Sequence, residues 1–316
     1  MKGRLSAFLL FFTEVHQAIA KVCASWKLYE HSFKQFHFAQ SFASAYLQRF
    51  IMEREFKNYI FDLYATLIRI HTNQEMPKLW QRTADLMAFY GPVYKPMEMK
   101  KKYRELIRRQ EESITLSAGT KWPEADVGEV FREMLLDPPR MNPYAGAGDP
   151  KSWDEERMKE WMRVFSYTFR VNSRIVFSLY SDTIDTLKAL RSRGKRVFLL
   201  SNAQEVFTVP EMQVLGLYDC FDDIFISSVH RIRKPAPLFM DRLLQKHQLL
   251  REESVMIGND MESDIMMAAK CGVSGIHVNT DHYSEKDLRS GLSKAREQAA
   301  GTGAVFSSVE HLHEIL

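Results

Sequence analysis

The fold of this chain can be derived outward from one stretch, Tyr59-Ile60-Phe61-Asp62-Leu63-Tyr64-Ala65-Thr66-Leu67. Its first three residues are apolar and β-prone, which predicts a short strand. Asp62 follows directly, so its carboxylate would lie at the carboxyl end of that strand. Ligands of parallel α/β sheets gather at this edge. Asp62 is therefore the first candidate for a catalytic group.

Further short strands are predicted far downstream of this stretch. The segments concerned are residues 197–200, 224–226, 255–257, 275–278 and 304–306. Helical patterns separate them, and one of these patterns, residues 183–193, is followed by Gly194 as a helix terminator. Strands that alternate with helices predict right-handed crossovers and a parallel sheet covered on both faces. We expect an α/β fold with a doubly wound, Rossmann-like sheet.

More than a hundred residues between the first two predicted strands have mainly helical periodicity. The helical segments are residues 80–90, 97–112, 127–135 and 153–169, with a loop rich in Pro and Gly at 137–149. Such an insert would form an all-helical cap that closes over a small substrate. The predicted organisation is an N-terminal extension at 1–51, a core at 52–70 and 178–316, and a cap at 71–177.

Composition restricts the classes of function. The chain has 316 residues, of which 45% are hydrophobic and 26% charged, as in ordinary globular proteins. A net charge of +3 gives no electrostatic footprint for nucleic acid, and the local basic run at residues 100–109 is predicted to be a solvated helix face. No apolar run approaches the ~18 residues that span a bilayer, which argues against an integral membrane protein.

The three cysteines, Cys23, Cys220 and Cys271, are odd in number and include no CxxC pair. This spacing argues against a disulfide framework and a thiolate metal site, and it favours a reducing, cytoplasmic location. The N-terminus allows three interpretations. Residues 5–12 with Ala18-Ile19-Ala20 resemble an export signal, residues 38–46 fit a helical extension, and Met52 could be the true start.

Four motifs in order resemble those of the haloacid dehalogenase-like superfamily. The first is Phe61-Asp62-Leu63-Tyr64-Ala65-Thr66-Leu67, and the second is Leu199-Leu200-Ser201-Asn202. The third is Arg233-Lys234-Pro235-Ala236-Pro237, and the fourth is Val255-Met256-Ile257-Gly258-Asn259-Asp260 with Ser263-Asp264-Ile265. The resemblance covers the chain apart from the N-terminal extension and the last few tens of residues. It implies a helical cap inserted after the first motif.

The resemblance implies a role for each motif. Asp62 would be the nucleophile, Lys234 would neutralise developing charge, and Thr66 and Ser201 would donate hydrogen bonds. Tyr64 and Asn202 complete the set of candidate catalytic residues. Mg²⁺ would be held by oxygen ligands drawn from Asp62, the carbonyl of Tyr64, Asn259, Asp260 and Asp264.

The sequence departs from the superfamily pattern at the position two residues after the nucleophile. Phosphatases of the superfamily have a second Asp there, which protonates the leaving group, whereas this chain has Tyr64. A phenol with an ordinary pKa of about 10 is a poor acid–base catalyst near neutrality. Superfamily 2-haloacid dehalogenases do carry Asp-x-Tyr, because a halide leaves without a proton. Ala65, where the pattern has Gly, also narrows the freedom of the turn.

The fourth motif favours the opposite assignment. Dehalogenases of the superfamily have an Asn followed three residues later by Asp, whereas here Asn259 precedes Asp260 and Asp264. Two carboxylates in this loop are more typical of a magnesium site. Asn259 replaces the usual metal-binding Asp, so the choice of ligand among these three residues stays open.

Three hypotheses follow for the function. The first is a Mg²⁺-dependent hydrolase that dephosphorylates a small anionic metabolite through an aspartyl intermediate. The second is a metal-independent 2-haloacid dehalogenase, and the third is a catalytically silent relative that binds a ligand. Phosphate release that EDTA and Asp62→Asn abolish would favour the first. The sequence leaves the substrate and the oligomeric state open.

Overall fold

Eight strands occur within residues 55–316, the part of the chain that the computed structural model describes. They are β1 Asn58–Phe61, β2 Ile68–Thr72, β3 Arg174–Leu179, β4 Arg196–Ser201, β5 Asp223–Ile226, β6 Ser254–Gly258, β7 Ser274–Val278 and β8 Phe306–Val309. The expectations for the N-terminal extension at 1–51, for an export signal and for a start at Met52 all lie outside the described residues.

Six of these strands form one parallel sheet in the order β5-β4-β1-β6-β7-β8. This confirms the predicted α/β class and the parallel sheet. The chain runs outward from β1 through β4 to β5, then returns to the other side of β1 for β6. Strand order therefore reverses beside β1, and a crevice at the carboxyl ends of β4, β1 and β6 is the place where such folds bind ligands.

Four helices lie between β2 and β3 and form the insert: α1 Pro77–Phe89, α2 Pro96–Ala118, α3 Val127–Leu136 and α4 Glu155–Ser173. Local sequence explains where they begin. Proline occupies the first turn of α1 and α2, where a missing N–H does no harm. Asp126 and Asp154 cap α3 and α4 by accepting hydrogen bonds from the backbone N–H of Glu129 and Arg157.

The remaining helices flank the sheet: α5 Thr183–Ser192, α6 Glu205–Val214, α7 Ser227–His230, α8 Pro237–Lys246, α9 Met266–Lys270 and α10 Glu285–Gln298. A π-helical turn, Met261–Ile265, precedes α9. One buried apolar cluster lies on each face of the sheet, and a third fills the insert. The third is rich in aromatic contacts, such as Trp161 stacked on Phe165 with ring centroids 4.8 Å apart.

Two strands at the ends of the insert were not predicted from the sequence. β2 and β3 pair antiparallel, with Ile68 opposite Leu179, and form a two-stranded ribbon outside the main sheet. This ribbon crosses the expected boundaries at residues 70 and 178, so the insert is helical only between its two ends. The burial of β2 alternates along the strand, as expected of a ribbon with one covered face.

Two further local predictions need correction. The last strand starts at Phe306 rather than at Ala304, because the turn through Gly303, with φ of +78°, occupies the residues before it. Lys100, expected on a solvated face, is buried and its Nζ lies 2.8 Å from Glu75 Oε2. No helix among residues 55–316 has the length and apolar character needed to cross a bilayer.

Candidate active site

Asp62 lies at the carboxyl end of β1, where its backbone N–H donates to the carbonyl of Ile257 in β6. Its side chain is buried, and its Oδ1 accepts a hydrogen bond from Ser201 Oγ at 3.0 Å. Lys234 Nζ lies 2.5 Å from the same oxygen. The ends of two adjacent strands and one downstream loop thus meet at a single carboxylate.

Thr66 connects the first and fourth motifs. Its hydroxyl lies 3.3 Å from Asp62 Oδ2 and 3.1 Å from Asn259 Oδ1, and it accepts the backbone N–H of Asn259. A hydroxyl has one hydrogen, so it donates to only one of these two acceptors at a time. Asp62 Oδ2 is therefore the less constrained oxygen of the carboxylate.

Lys234 is fixed at its backbone by Asn202. The Asn202 side-chain oxygen accepts from Lys234 N at 2.8 Å, and its amide donates to Lys234 O at 3.1 Å. Lys234 Nζ lies between Asp62 and Asp264, 2.6 Å from Asp264 Oδ1. Burial lowers the pKa of Lys234, but the two carboxylates outweigh that effect and raise it above its usual range. Lys234 is thus a buried ammonium ion at neutral pH.

Asp264 is buried directly behind Gly258, the last residue of β6. A Cβ at position 258 would lie 2.2 Å from Asp264 Oδ2, so only glycine admits this carboxylate. Burial raises the pKa of Asp264 to about 7, with Lys234 opposing the shift and Asp62 adding to it. Its Oδ2 accepts the backbone N–H of Asp260.

The two residues after Gly258 have different roles. The side-chain amide of Asn259 donates to Asp281 Oδ2 at 2.6 Å. The Asn259 side-chain oxygen therefore faces Thr66. Asp260 Oδ1 accepts the backbone N–H groups of Glu262 and Ser263 at 2.8 and 2.9 Å. Asp260 thus caps the π-helical turn, and the structure does not bring its carboxylate to Lys234.

The hydroxyl of Tyr64 is held by hydrogen bonds to residues outside the four motifs. Its hydroxyl donates to Glu211 Oε2 at 2.6 Å and lies 3.0 Å from Thr208 Oγ1. Arg170 and Arg174 in turn contact Glu211 at 2.9 and 3.3 Å. Burial, with the Glu211 carboxylate adding to it, raises the pKa of Tyr64 above its usual range. Tyr64 is therefore unsuited to proton transfer near neutrality.

The oxygen atoms around Asp62 are of the kind that Mg²⁺ binds. Asp264 Oδ1 is buried and has no hydrogen bond of good geometry among the described residues, although Lys234 Nζ is close. No group of three His, Cys, Asp or Glu side chains within residues 55–316 could hold a metal. Mg²⁺ needs only one or two carboxylates, with neutral oxygens and waters. By the type of their oxygen ligands, Asp62 and Asp264, the Asn259 amide and the Tyr64 carbonyl meet that requirement.

A cavity of about 890 Å³ opens beside this group. Tyr64, Asn202, Lys234 and Asp260 line it from the core. The insert contributes Tyr103, Ile107, Glu111, Trp122, Glu124 and Arg170. The cavity is therefore bounded both by the motif residues and by the insert, as a capped active site requires.

Several residues of the site were missed from the sequence: Glu124, Arg170, Glu211, His277 and Asp281. His277 Nε2 lies 2.6 Å from the carbonyl of Asn259 and supports the fourth motif from behind. Asp281 follows β7, so its place after a strand was a usable signal. His277 lies within β7, a predicted strand, but nothing in the sequence indicated its contact. Glu124, Arg170 and Glu211 had no signal, since they come from a loop and from helices whose facing side chains the sequence does not specify.

Comparison with known proteins identifies a family. The model of the haloacid dehalogenase-like hydrolase family matches residues 56–272, more than half of the chain. Among related sequences, a phosphoglycolate phosphatase of Vibrio vulnificus is 29% identical over 42% of this chain and 59% of its own length. A glyceraldehyde 3-phosphate phosphatase of Methanothermobacter thermautotrophicus is 30% identical over 32% of this chain and 45% of its length. This chain thus spans about half the length of these relatives.

Solved structures with a similar arrangement are more distant in sequence. A 2-haloacid dehalogenase from Pseudomonas syringae is 17% identical, with 82% of this chain and 96% of that chain covered and a TM-score of 0.49. A HAD phosphatase from Thermococcus onnurineus is 16% identical, with 82% and 95% covered and a TM-score of 0.46.

Proposed function

Because the chain belongs to the haloacid dehalogenase-like hydrolases, we propose that it hydrolyses a phosphoester through a covalent intermediate on Asp62. One observation carries the proposal: Lys234 Nζ lies within 2.6 Å of both Asp62 and Asp264. A carboxylate becomes an effective nucleophile when it is oriented and the charge of the electrophile is neutralised. Ser201 and Lys234 hold Oδ1 of Asp62, so Oδ2 is the oxygen that attacks.

We propose Mg²⁺ as the cofactor, held by Asp62, Asp264, the Asn259 amide oxygen and the Tyr64 carbonyl. Bound there, the ion would offset the negative charge of the phosphoryl group. Asp260, a candidate ligand from the sequence, is left out because its carboxylate caps the following turn. Lys234 and Ser201 orient the nucleophile independently of the ion.

The substrate class we propose is a small phosphorylated metabolite. Relatives of the chain are named as phosphatases of phosphoglycolate, glyceraldehyde 3-phosphate and ribulose 1,5-bisphosphate. The cationic side chains Arg170, Arg233 and Lys270 line the same cavity as Lys234, which suits an anionic ligand. We also propose a cytoplasmic location, supported by the free thiols of Cys220 and Cys271.

The test is a screen of phosphoesters with the full chain. We expect steady phosphate release that EDTA abolishes, Mg²⁺ restores and Asp62→Asn removes. Asp85→Asn, an exposed substitution on α1, should leave the rate unchanged. Phosphate release by Asp62→Asn at the wild-type rate would show that the nucleophile is misassigned.

A second candidate function is 2-haloacid dehalogenase, and one observation favours it. Tyr64 occupies the position where phosphatases need an acid, and its hydroxyl donates a hydrogen bond to Glu211. A halide leaves without a proton, so this chemistry does not need that acid. Chloride release from 2-chloropropionate that survives EDTA, without phosphate release, would establish it. A silent relative would show neither turnover, yet would bind orthovanadate in the wild type and not in Lys234→Ala.

A further inference from the structure

We propose that Glu124, supplied by the insert, is the acid–base catalyst that the Asp-x-Tyr sequence lacks. The proposal rests on the phosphatase function proposed above. Tyr64 holds the position of the usual acid but is bonded to Glu211. Glu124 lines the same cavity. Its loop contacts, its hydrogen-bond donors and its protonation state allow it to exchange a proton there.

The loop that carries Glu124 is attached to the segment leading to Lys234. It connects α2 to α3, and the backbone N–H of Glu124 donates to the carbonyl of Arg231 at 3.3 Å. Arg233 N donates to the carbonyl of Trp122 at 3.0 Å, and Pro123 forms a bridge with Ile232. These contacts attach the loop to the three residues that precede Lys234. Glu124 is therefore held beside the cavity by the core segment itself.

The carboxylate of Glu124 is held by neutral donors from the core. Gln204 Nε2 donates to Oε1 at 2.8 Å, and Ser227 Oγ donates to Oε2 at 3.0 Å. Gln204 and Ser227 follow β4 and β5, so the carboxylate lies at the carboxyl edge of the sheet. The fourth-motif carboxylate Asp264 follows β6 on the other side of Asp62. A substrate at Asp62 would therefore have Glu124 and Asp264 on opposite sides.

The charge state of Glu124 suits proton exchange. Burial raises the pKa of Glu124 to about 7, with Ser227 and Arg233 opposing the shift and Glu111 adding to it. Arg233 on the core segment and Glu111 on α2 are the charged groups that face it. The side chain of Arg231, on the same core segment, pairs instead with the Asp126 carboxylate at 3.4 Å. Near neutral pH both protonation states are populated, as an acid that later acts as a base requires.

The two steps then balance. Asp62 Oδ2 bonds to phosphorus while the phosphorus–oxygen bond to the alcohol breaks, and protonated Glu124 gives its proton to the departing oxygen. Water next attacks the phosphorus of the aspartyl phosphate and loses a proton to the Glu124 carboxylate. The bond to Asp62 breaks and inorganic phosphate leaves. Both Asp62 and Glu124 return to their starting states.

Glu124→Gln tests the proposal, because it keeps the shape and one hydrogen-bond acceptor but cannot transfer a proton. Glu112→Gln is the matched control, since it removes an exposed carboxylate of α2 that does not line the cavity. With 2-phosphoglycolate, we expect Glu124→Gln to lose about 10²- to 10⁴-fold in kcat. We expect Glu112→Gln to retain the wild-type kcat. The pH–rate profile near neutrality should lose the titration of Glu124 in Glu124→Gln and keep it in Glu112→Gln.

p-Nitrophenyl phosphate separates the two steps, because its leaving group needs no proton. Glu124→Gln should release one equivalent of nitrophenol rapidly and then turn over slowly, since the aspartyl phosphate still needs a base. Glu124→Ala gives a second variant, in which added formate should restore part of the rate. Wild-type turnover and pH profile in Glu124→Gln would overturn the assignment while leaving the phosphatase intact. No hydrolysis of either ester by the wild type would overturn both proposals.

Discussion

At the scale of single residues, the hydroxyl of Tyr64 is bonded to Glu211 rather than placed for proton transfer. Tyr64→Phe should therefore leave kcat unchanged while it removes a hydrogen bond from a buried carboxylate. Because such bonds contribute about 1.5–3 kcal/mol, the free energy of unfolding should fall by about that amount. Urea denaturation and phosphate release measure the two effects.

The control for this change is Tyr144→Phe, on a side chain that is 93% exposed, where stability should move by less than about 0.5 kcal/mol. A large fall in kcat for Tyr64→Phe, with stability unchanged, would show that the phenol takes part in the reaction. That outcome would also weaken the case for Glu124.

Ala65 occupies a backbone conformation that favours glycine. Its φ is +61°, in the left-handed region, which costs an L-residue about 1–2 kcal/mol. Glycine removes that strain but gives the unfolded chain about 0.4–1 kcal/mol of extra entropy. Ala65→Gly should therefore raise the free energy of unfolding by about 0.5–1 kcal/mol, as measured in urea.

Ala88→Gly, within α1, is the matched substitution in an ordinary helical conformation and should lower stability by about 1 kcal/mol. Equal losses in both variants would mean that the turn after Asp62 tolerates alanine without strain.

The sequence was informative about residues that belong to motifs. Asp62, Thr66, Ser201 and Lys234 were singled out from short patterns at strand ends, and the structure brings all four together. It was uninformative about Glu124 and about the network around Glu211, where the partners come from separate elements. Their hydrogen bonds span 37 to 147 residues of sequence, a range over which no local pattern connects them.

At the scale of elements, the end of β6 depends on a close approach that only glycine allows. In Gly258→Ala the new Cβ would lie 2.2 Å from Asp264 Oδ2 and displace that carboxylate from Lys234. Overpacking should lower stability by about 1–3 kcal/mol, and the misplaced carboxylate should lower kcat by about 100-fold. Thermal denaturation and phosphate release check both.

Gly146→Ala is its control, because a Cβ there meets nothing within 4 Å and no positive φ is involved. Its stability should change by less than about 0.5 kcal/mol. Full activity in Gly258→Ala would mean that Asp264 has another position compatible with catalysis.

The insert is joined to the core by elements that were harder to predict. Helices α1 to α4 were expected from their periodicity, whereas the ribbon of β2 and β3 was not. A two-stranded ribbon has too few residues for its alternation to be distinguished from an irregular linker. The buried ion cluster was equally hard to predict, because Arg170 on α4 and Arg174 on β3 contact Glu211 on α6. Such a buried ion cluster favours one orientation of the insert relative to the core.

At the scale of the whole molecule, alternation of strands and helices was sufficient to predict a parallel α/β sheet. It did not specify the order β5-β4-β1-β6-β7-β8, because strand pairing depends on contacts between segments far apart in sequence. Phe61, for example, pairs with both Leu199 and Ile257. That order gathers the motifs at the carboxyl edge beside β1.

The same assembly would make the proposed metal binding a property of the folded chain. Asp62 and Asp264 are 202 residues apart in sequence and adjacent only in the native state, so Mg²⁺ would bind the folded form alone. A ligand at 100 times its Kd then adds about 2.7 kcal/mol to stability. We expect MgCl2 to raise the Tm of the full chain by about 5 °C relative to NaCl of equal ionic strength.

Two variants assign this shift to particular carboxylates. Asp264→Asn should lose it, because the proposed ligand becomes neutral. Asp260→Asn should keep it, because asparagine caps a helix about as well as aspartate and the Asp260 carboxylate already accepts the N–H groups of Glu262 and Ser263. If instead Asp260→Asn abolished the shift and Asp264→Asn preserved it, the ion would have to lie on the solvent side of the fourth motif. Lys234 would then neutralise Asp264 without help from the ion.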